Sequence, residues 1–161
     1  MSDRSYVEWV APIARTLAQD NRALLEFARA QPLEFWDRAS VAEGWRNRDI
    51  LAHVGGGNDQ LLQIVLRATI SRKPLGPETF GIDTDDANAR GVEERRAWPI
   101  DRVIAEIEER QEETQYLFSQ LSDTDRDVRG GSPMTLGDFL RLVQEERHDR
   151  EHLQQLRASS T

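Results

Sequence analysis

Residues 47–72 read NRDILAHVGGGNDQLLQIVLRATISR. Apolar side chains fall at Ile50, Leu51, Val54, Leu61, Leu62, Val65 and Ala68, a spacing built on three and four that gathers them on one face of an α-helix and matches no strand alternation. Asn47 is a favoured N-cap type and predicts where this helix starts, with its end near Arg72. Gly55, Gly56 and Gly57 interrupt it, each costing about 1 kcal/mol relative to Ala in a helix interior. Either room for a substrate or close packing of a neighbouring helix would justify them.

The same periodicity extends outward in both directions. Tyr6 to Ala30 carries a stripe of Tyr6, Val10, Ile13, Leu17, Leu24, Leu25 and Ala28, and Pro12 either kinks that helix or marks its true first turn. Residues 31–45 break the spacing with Pro32 and Gly44 and read as a connection returning Phe35 and Trp36 to the core. Downstream, residues 73–99 are rich in Gly, Pro and Asp, with a short helix expected over Asp85–Ala97. A third long helix starts near Pro99 and runs through Val103, Ile104, Ile107, Gln111, Thr114, Leu117, Phe118 and Leu121. Residues 123–133, with Gly130 and Gly131, read as a loop. The fourth helix opens at Thr135, with Asp138 three positions on, and continues through Leu136, Phe139, Leu140 and Val143 to Leu153 and Leu156.

Four apolar stripes and no strand candidate predict an all-α four-helix bundle, with a long connection between helices 2 and 3 that suggests a crossover. At 161 residues the chain fits one domain, residues 1–161, with a single core. It holds 29 acidic against 21 basic residues, a net charge of −8, which repels polyanions and argues against nucleic acid. No run approaches a membrane span or a secretory leader, so the expectation is a cytoplasmic protein. The absence of Cys excludes disulfides, thiolate ligands and a cysteine nucleophile. The glycine triplet lacks the Lys-Ser/Thr of a phosphate loop, and no Gly-x-Ser-x-Gly elbow is present.

The three histidines fall in two places. His148 and His152 stand four apart, one turn above each other on a helix, and so can converge on one ion. His53 lies on the inward stripe of the second helix and can add a third nitrogen, leaving an open position as in catalytic zinc sites. The core stripe of the fourth helix is interrupted by Glu146, Arg147 and Arg150 before Leu153, which suggests a polar pocket. Glu145 and Asp149, like Glu146 and Glu151, neighbour the ligand pair and are candidates to orient an imidazole or take a proton from the reacting group; Asp49, one turn before His53, is comparable. The alternative is histidines hydrogen-bonded in a core and carboxylates on a solvated surface. Trp9, Trp36, Trp45 and Trp98 are candidates for core or interface packing, or for lining an apolar pocket.

Residues 44–54, GWRNRDILAHV, and 148–153, HDREHL, resemble the start of the second helix and the last-helix H-x-x-E-H-L block of the DinB/YfiT-like superfamily. The segment from Asp86-Ala87-Asn88 to Arg96 is similar to an Asn-containing stretch of one branch. The chain departs from the pattern at Gly57 and Asn58, where relatives often carry an aromatic and then an acidic residue. The resemblance implies a four-helix bundle binding a divalent ion, usually nickel or zinc, through His53, His148 and His152, often in a homodimer. Characterised branches include thiol S-transferases and isomerases using bacillithiol, mycothiol or glutathione, and a branch protecting against a genotoxic natural product. The expected function is a metal-dependent enzyme acting on a small electrophile, as a low-molecular-weight-thiol S-transferase or a hydrolase. Lacking Cys, the chain needs an external thiol for transfer. The competing reading is a noncatalytic protein that sequesters a small molecule, with a structural ion or none.

Overall fold

The computed structural model describes residues 4–69, 84–128 and 134–160. Seven α-helices are seen among them: α1 (Ala11–Arg29), α2 (Leu33–Trp36), α3 (Asn47–Thr69), α4 (Thr84–Arg95), α5 (Ile100–Gln120), α6 (Leu136–Glu146) and α7 (His148–Ala158), with a 3-10 turn at Asp123–Asp127. Pro12 sits in the first turn of α1, where a missing N–H costs nothing. The short helix α2 buries Phe35 and Trp36, as the connection was expected to. The end of the second predicted helix, and Gly130 and Gly131, lie outside the described residues.

Two helix starts show how caps are chosen. Thr135 accepts a bond from the Asp138 N–H at 3.0 Å, the capping arrangement read from sequence. Asn47 is not the cap it was expected to be: it lies inside the first turn of α3, fully buried, and donates its side-chain amide to the Phe35 carbonyl at 2.9 Å. The Asp49 carboxylate instead reaches back to the Arg46 N–H at 2.9 Å. That satisfies an orphan donor ahead of the helix and frees Asn47 to fasten the preceding turn.

Helix directions follow from cross-helix pairs. Thr16, Asp20 and Asn21 of α1 meet Gln144, Arg147 and Asp149 in the same order, so α1 runs parallel to the α6–α7 arm. Gly55 faces Glu106 and Asp59 pairs with Arg110 at 2.9 Å, so α3 and α5 are also parallel; α3 opposes α7, with Gly57 against His148 and His53 against His152, and α1 opposes α5. Parallel neighbours require the chain to retrace the 23 residues of α3, about 35 Å at 1.5 Å per residue. Helix α4 runs back along α3, with Arg95 against Gly55 and the following Arg96 against Asp49, and packs on it where Gly56 and Gly91 meet backbone to backbone: a Cβ on Gly56 would lie 3.3 Å from the Gly91 Cα.

The fourth predicted helix is two. Arg147 adopts φ 50, ψ 46, a left-handed conformation that costs a non-glycine residue and stops the helix. On an unbroken helix at about 100° per residue, Leu140 and Leu153 would stand roughly 140° apart. The break re-phases the chain so that both are buried. The polar interruption at Glu146, Arg147 and Arg150 therefore marks a change of phase as well as a polar region.

The apolar core is divided. One cluster joins Leu24, Ile50, Val54, Ile107 and Leu153 with their neighbours; the other joins Ile13, Leu62, Val65, Phe118 and Leu140 with theirs. Between them every arm of the bundle contributes buried or half-buried polar groups: Asp20 and Asn21, His53 and Asn58, Gln111, then His148 and Asp149.

Candidate metal centre

The histidines converge at this polar layer. The Nε2 atoms of His53 and His148 lie 3.1 Å apart, and one ligand nitrogen from each of His53, His148 and His152 falls within 4.8 Å of the others. Nitrogens bound tetrahedrally at 2.0–2.1 Å are separated by about 3.4 Å, so the first pair is already at ligating spacing and the third needs a small closure. His53 is buried and the other two are half-buried.

Local structure decides why these rings meet. His148 opens α7 immediately after the left-handed residue, and Arg147 is held by a two-point ion pair with the buried Asp20 of α1, one contact at 2.7 Å. His148 then occupies the space left by Gly57, where a Cβ would lie 2.8 Å from its Cε1 atom. A Cβ on Gly55 would crowd Arg95 at 3.1 Å, which is buried and bound in two contacts to Glu106. The three glycines thus serve three neighbours: an ion pair, a helix backbone and a candidate ligand ring. Of the two explanations offered by the sequence, close packing holds at all three positions, and at Gly57 the space is taken by the His148 ring and not left for a substrate.

Protonation suits ligation. Burial, then the neighbouring His152 and His148, lowers the His53 pKa from 6.5 to about 3. Burial and then His148 also lower that of His152, against the opposing pull of Gln155, Glu151 and Asp149. Neutral imidazole is the ligating form. His152 Nδ1–H donates to the Gln155 Oε1 at 2.9 Å, which leaves Nε2 with its lone pair free. Asp149 receives Asn21 at 2.9 Å and Asn58 at 3.2 Å, and its Oδ1 stands 3.4 Å from His148 Nδ1. This donor set fits a divalent ion: three neutral nitrogens, one ring orientation fixed by a glutamine, and a carboxylate held beside a second ring.

A cleft of about 740 Å³ opens against this layer. His53, His148, Asp149 and Glu146 line it, with Leu17, Leu61, Ile64, Phe139, Leu142 and Val143 forming an apolar wall. Glu145 is exposed on α6 and is not among the lining residues. Asp49 is engaged with the Arg46 N–H and with Arg96 at 3.2 Å. None of the four tryptophans lines the cleft; Trp36 is core, and Trp45 packs edge-on to His53 with centroids 5.5 Å apart. Sequence reading did not single out Asn21 or Gln155, and named Asn58 only as a departure from the family pattern. Asn58 stands four residues from both Val54 and Leu62, and Asn21 between Leu17 and Leu24, so a polar residue interrupting an apolar stripe was the available signal.

These features define a helical bundle with a three-histidine donor set, two of whose rings, His53 and His148, line a cleft. Residues 17–148 match the family model described as the mycothiol maleylpyruvate isomerase N-terminal domain. The chain belongs to that family, within the DinB/YfiT-like superfamily of helical metal-binding proteins. No curated protein and no solved structure matches the chain.

Proposed function

We propose that this chain is a divalent-metal-dependent enzyme that directs a low-molecular-weight thiol, or water, onto a small electrophile. The family description names mycothiol, which makes it the first thiol to test. The observation that carries the reading is the convergence of three imidazoles, two of which, His53 and His148, line the cleft. Zinc and nickel both suit such nitrogen ligands.

His53, His148 and His152 would hold the ion, and when bound it would acidify a thiol or water in its open position. The protein's own work is orientation and proton handling. Gln155 keeps the His152 proton on Nδ1. Asn21 and Asn58 hold the Asp149 carboxylate, which is placed to orient His148 or to receive a proton inside the cleft. Glu145, a candidate for the same role, would have to turn inward from its exposed position. A cleft of this volume matches a ligand pocket, so sequestration without turnover is the second reading.

The test is metal quantification on untagged wild type, His53→Ala and His148→Ala, followed by consumption of mycothiol against a panel of electrophiles. Near-stoichiometric metal and turnover in wild type, both lost in His148→Ala while the helical circular dichroism persists, are expected. Ligand binding without turnover would favour sequestration. A metal-free wild type that takes up neither zinc nor nickel would overturn the reading.

A further inference from the structure

Among the described residues five side-chain amides are buried: Asn21, Asn47, Asn58, Gln111 and Gln115. Four donate to a protein acceptor: Asn21 and Asn58 to Asp149, Asn47 to the Phe35 carbonyl and Gln115 to the Ala14 carbonyl. Gln111 is the exception. It is 8% exposed, lines the cleft, and its Nε2 has no hydrogen-bond partner among the described residues. An unsatisfied buried amide costs about 1–3 kcal/mol, and native proteins keep such groups rare. A leucine at this α5 stripe position, between Ile107 and Thr114, would avoid that cost.

We infer that Gln111 is a ligand-anchoring residue of the cleft, donating its amide N–H to the carbonyl oxygen of an uncharged small molecule. This deepens the proposed function by naming a substrate class, and rests on that reading only for the consequence in turnover. The terminal amide torsion is soft, so the N–H can turn toward an occupant. Charge argues for a neutral carbonyl over a carboxylate. Among the described residues four arginines line the cleft: Arg147 and Arg95 are bound to Asp20 and Glu106, Arg67 and Arg90 are exposed, and five carboxylates, Asp20, Asp59, Glu94, Glu146 and Asp149, face the same space. The apolar wall of Leu17, Leu61, Ile64 and Val143 would receive the hydrocarbon part of the same molecule.

N-ethylsuccinimide is a suitable probe: uncharged, two carbonyl oxygens, a short apolar tail and no reactivity toward thiols. Its binding is followed by NMR titration of wild type, Gln111→Met and Gln111→Leu, each with and without zinc, and compared with the anionic N-ethylsuccinamate. Gln111→Met keeps the length and loses the amide, so it guards against a packing failure in Gln111→Leu. Saturable binding to wild type is expected, weakened about tenfold in both variants, as loss of one neutral hydrogen bond predicts. The variants should melt no lower than wild type and should keep the same zinc content. N-ethylsuccinamate should bind more weakly than the imide. Absent binding to wild type, equal binding to the variants, or preference for the carboxylate overturns the inference. Gln111-dependent binding in a protein that takes up no metal leaves the subsite standing and removes the proposed function.

Discussion

Gly57 carries more of the candidate centre than its size suggests. A methyl there would stand 2.8 Å from the His148 Cε1 atom, and the imidazole, as the end of a rotatable side chain, would yield before the α3 backbone. Gly57→Ala is therefore expected to leave folding nearly unchanged and to weaken zinc affinity about 10- to 100-fold, the range found when the support of a metal ligand is lost. Competition with a chelating dye measures it; unchanged affinity would mean that His148 does not ligate. The buried imidazoles also set a pH response. Because the folded-state pKa of His53 is lowered from 6.5 to about 3, the unfolded chain takes up a proton in that window that the folded chain refuses. Stability of the metal-free protein should be full above about pH 6.5 and fall progressively toward pH 3, with His152 acting in the same direction. Urea denaturation at pH 7, 5.5 and 4.5 should show this decline, and His53→Gln should flatten it.

The element that decides the centre is the break between α6 and α7. Its left-handed residue is an arginine, and the Asp20 ion pair accounts for the side chain while the backbone conformation would suit glycine better. Arg147→Ala loses the ion pair and keeps the strain; Arg147→Gly loses the ion pair and relieves it. Arg147→Gly should melt above Arg147→Ala, and both should hold zinc less tightly than wild type. Calorimetry and zinc titration check the order, and an Arg147→Ala protein melting with or above Arg147→Gly would contradict it. From sequence this segment read as one helix from Thr135 to Leu156, because the apolar residues resume after Arg150 and nothing but their phase reveals the break. The third helix was legible to both ends and the second from its start through Thr69, since their stripes run without a change of phase.

Across the whole molecule, a polar layer separates two apolar clusters, and an ion bound there would tie α3 to α7 through their histidines. Zinc at about 100 times its Kd should stabilise the fold by about 2.7 kcal/mol, a rise in melting temperature of roughly 5–10 °C for a chain of this size. Differential scanning calorimetry with zinc and then with chelator measures it, and the rise should vanish in His148→Ala.

Composition and periodicity alone determined the all-α class, the bundle, the long connection and the pairing of His148 with His152, because helical spacing and turn residues are local properties of the chain. Tertiary structure alone decided the rest: that Asp49 rather than Asn47 caps α3, that the last helix breaks at Arg147, that each glycine of the triplet answers a different neighbour, and that Asn21, Asn58 and Gln111 meet one layer. Each of those depends on what another helix brings to the same point, a contact between residues many positions apart that no local pattern encodes.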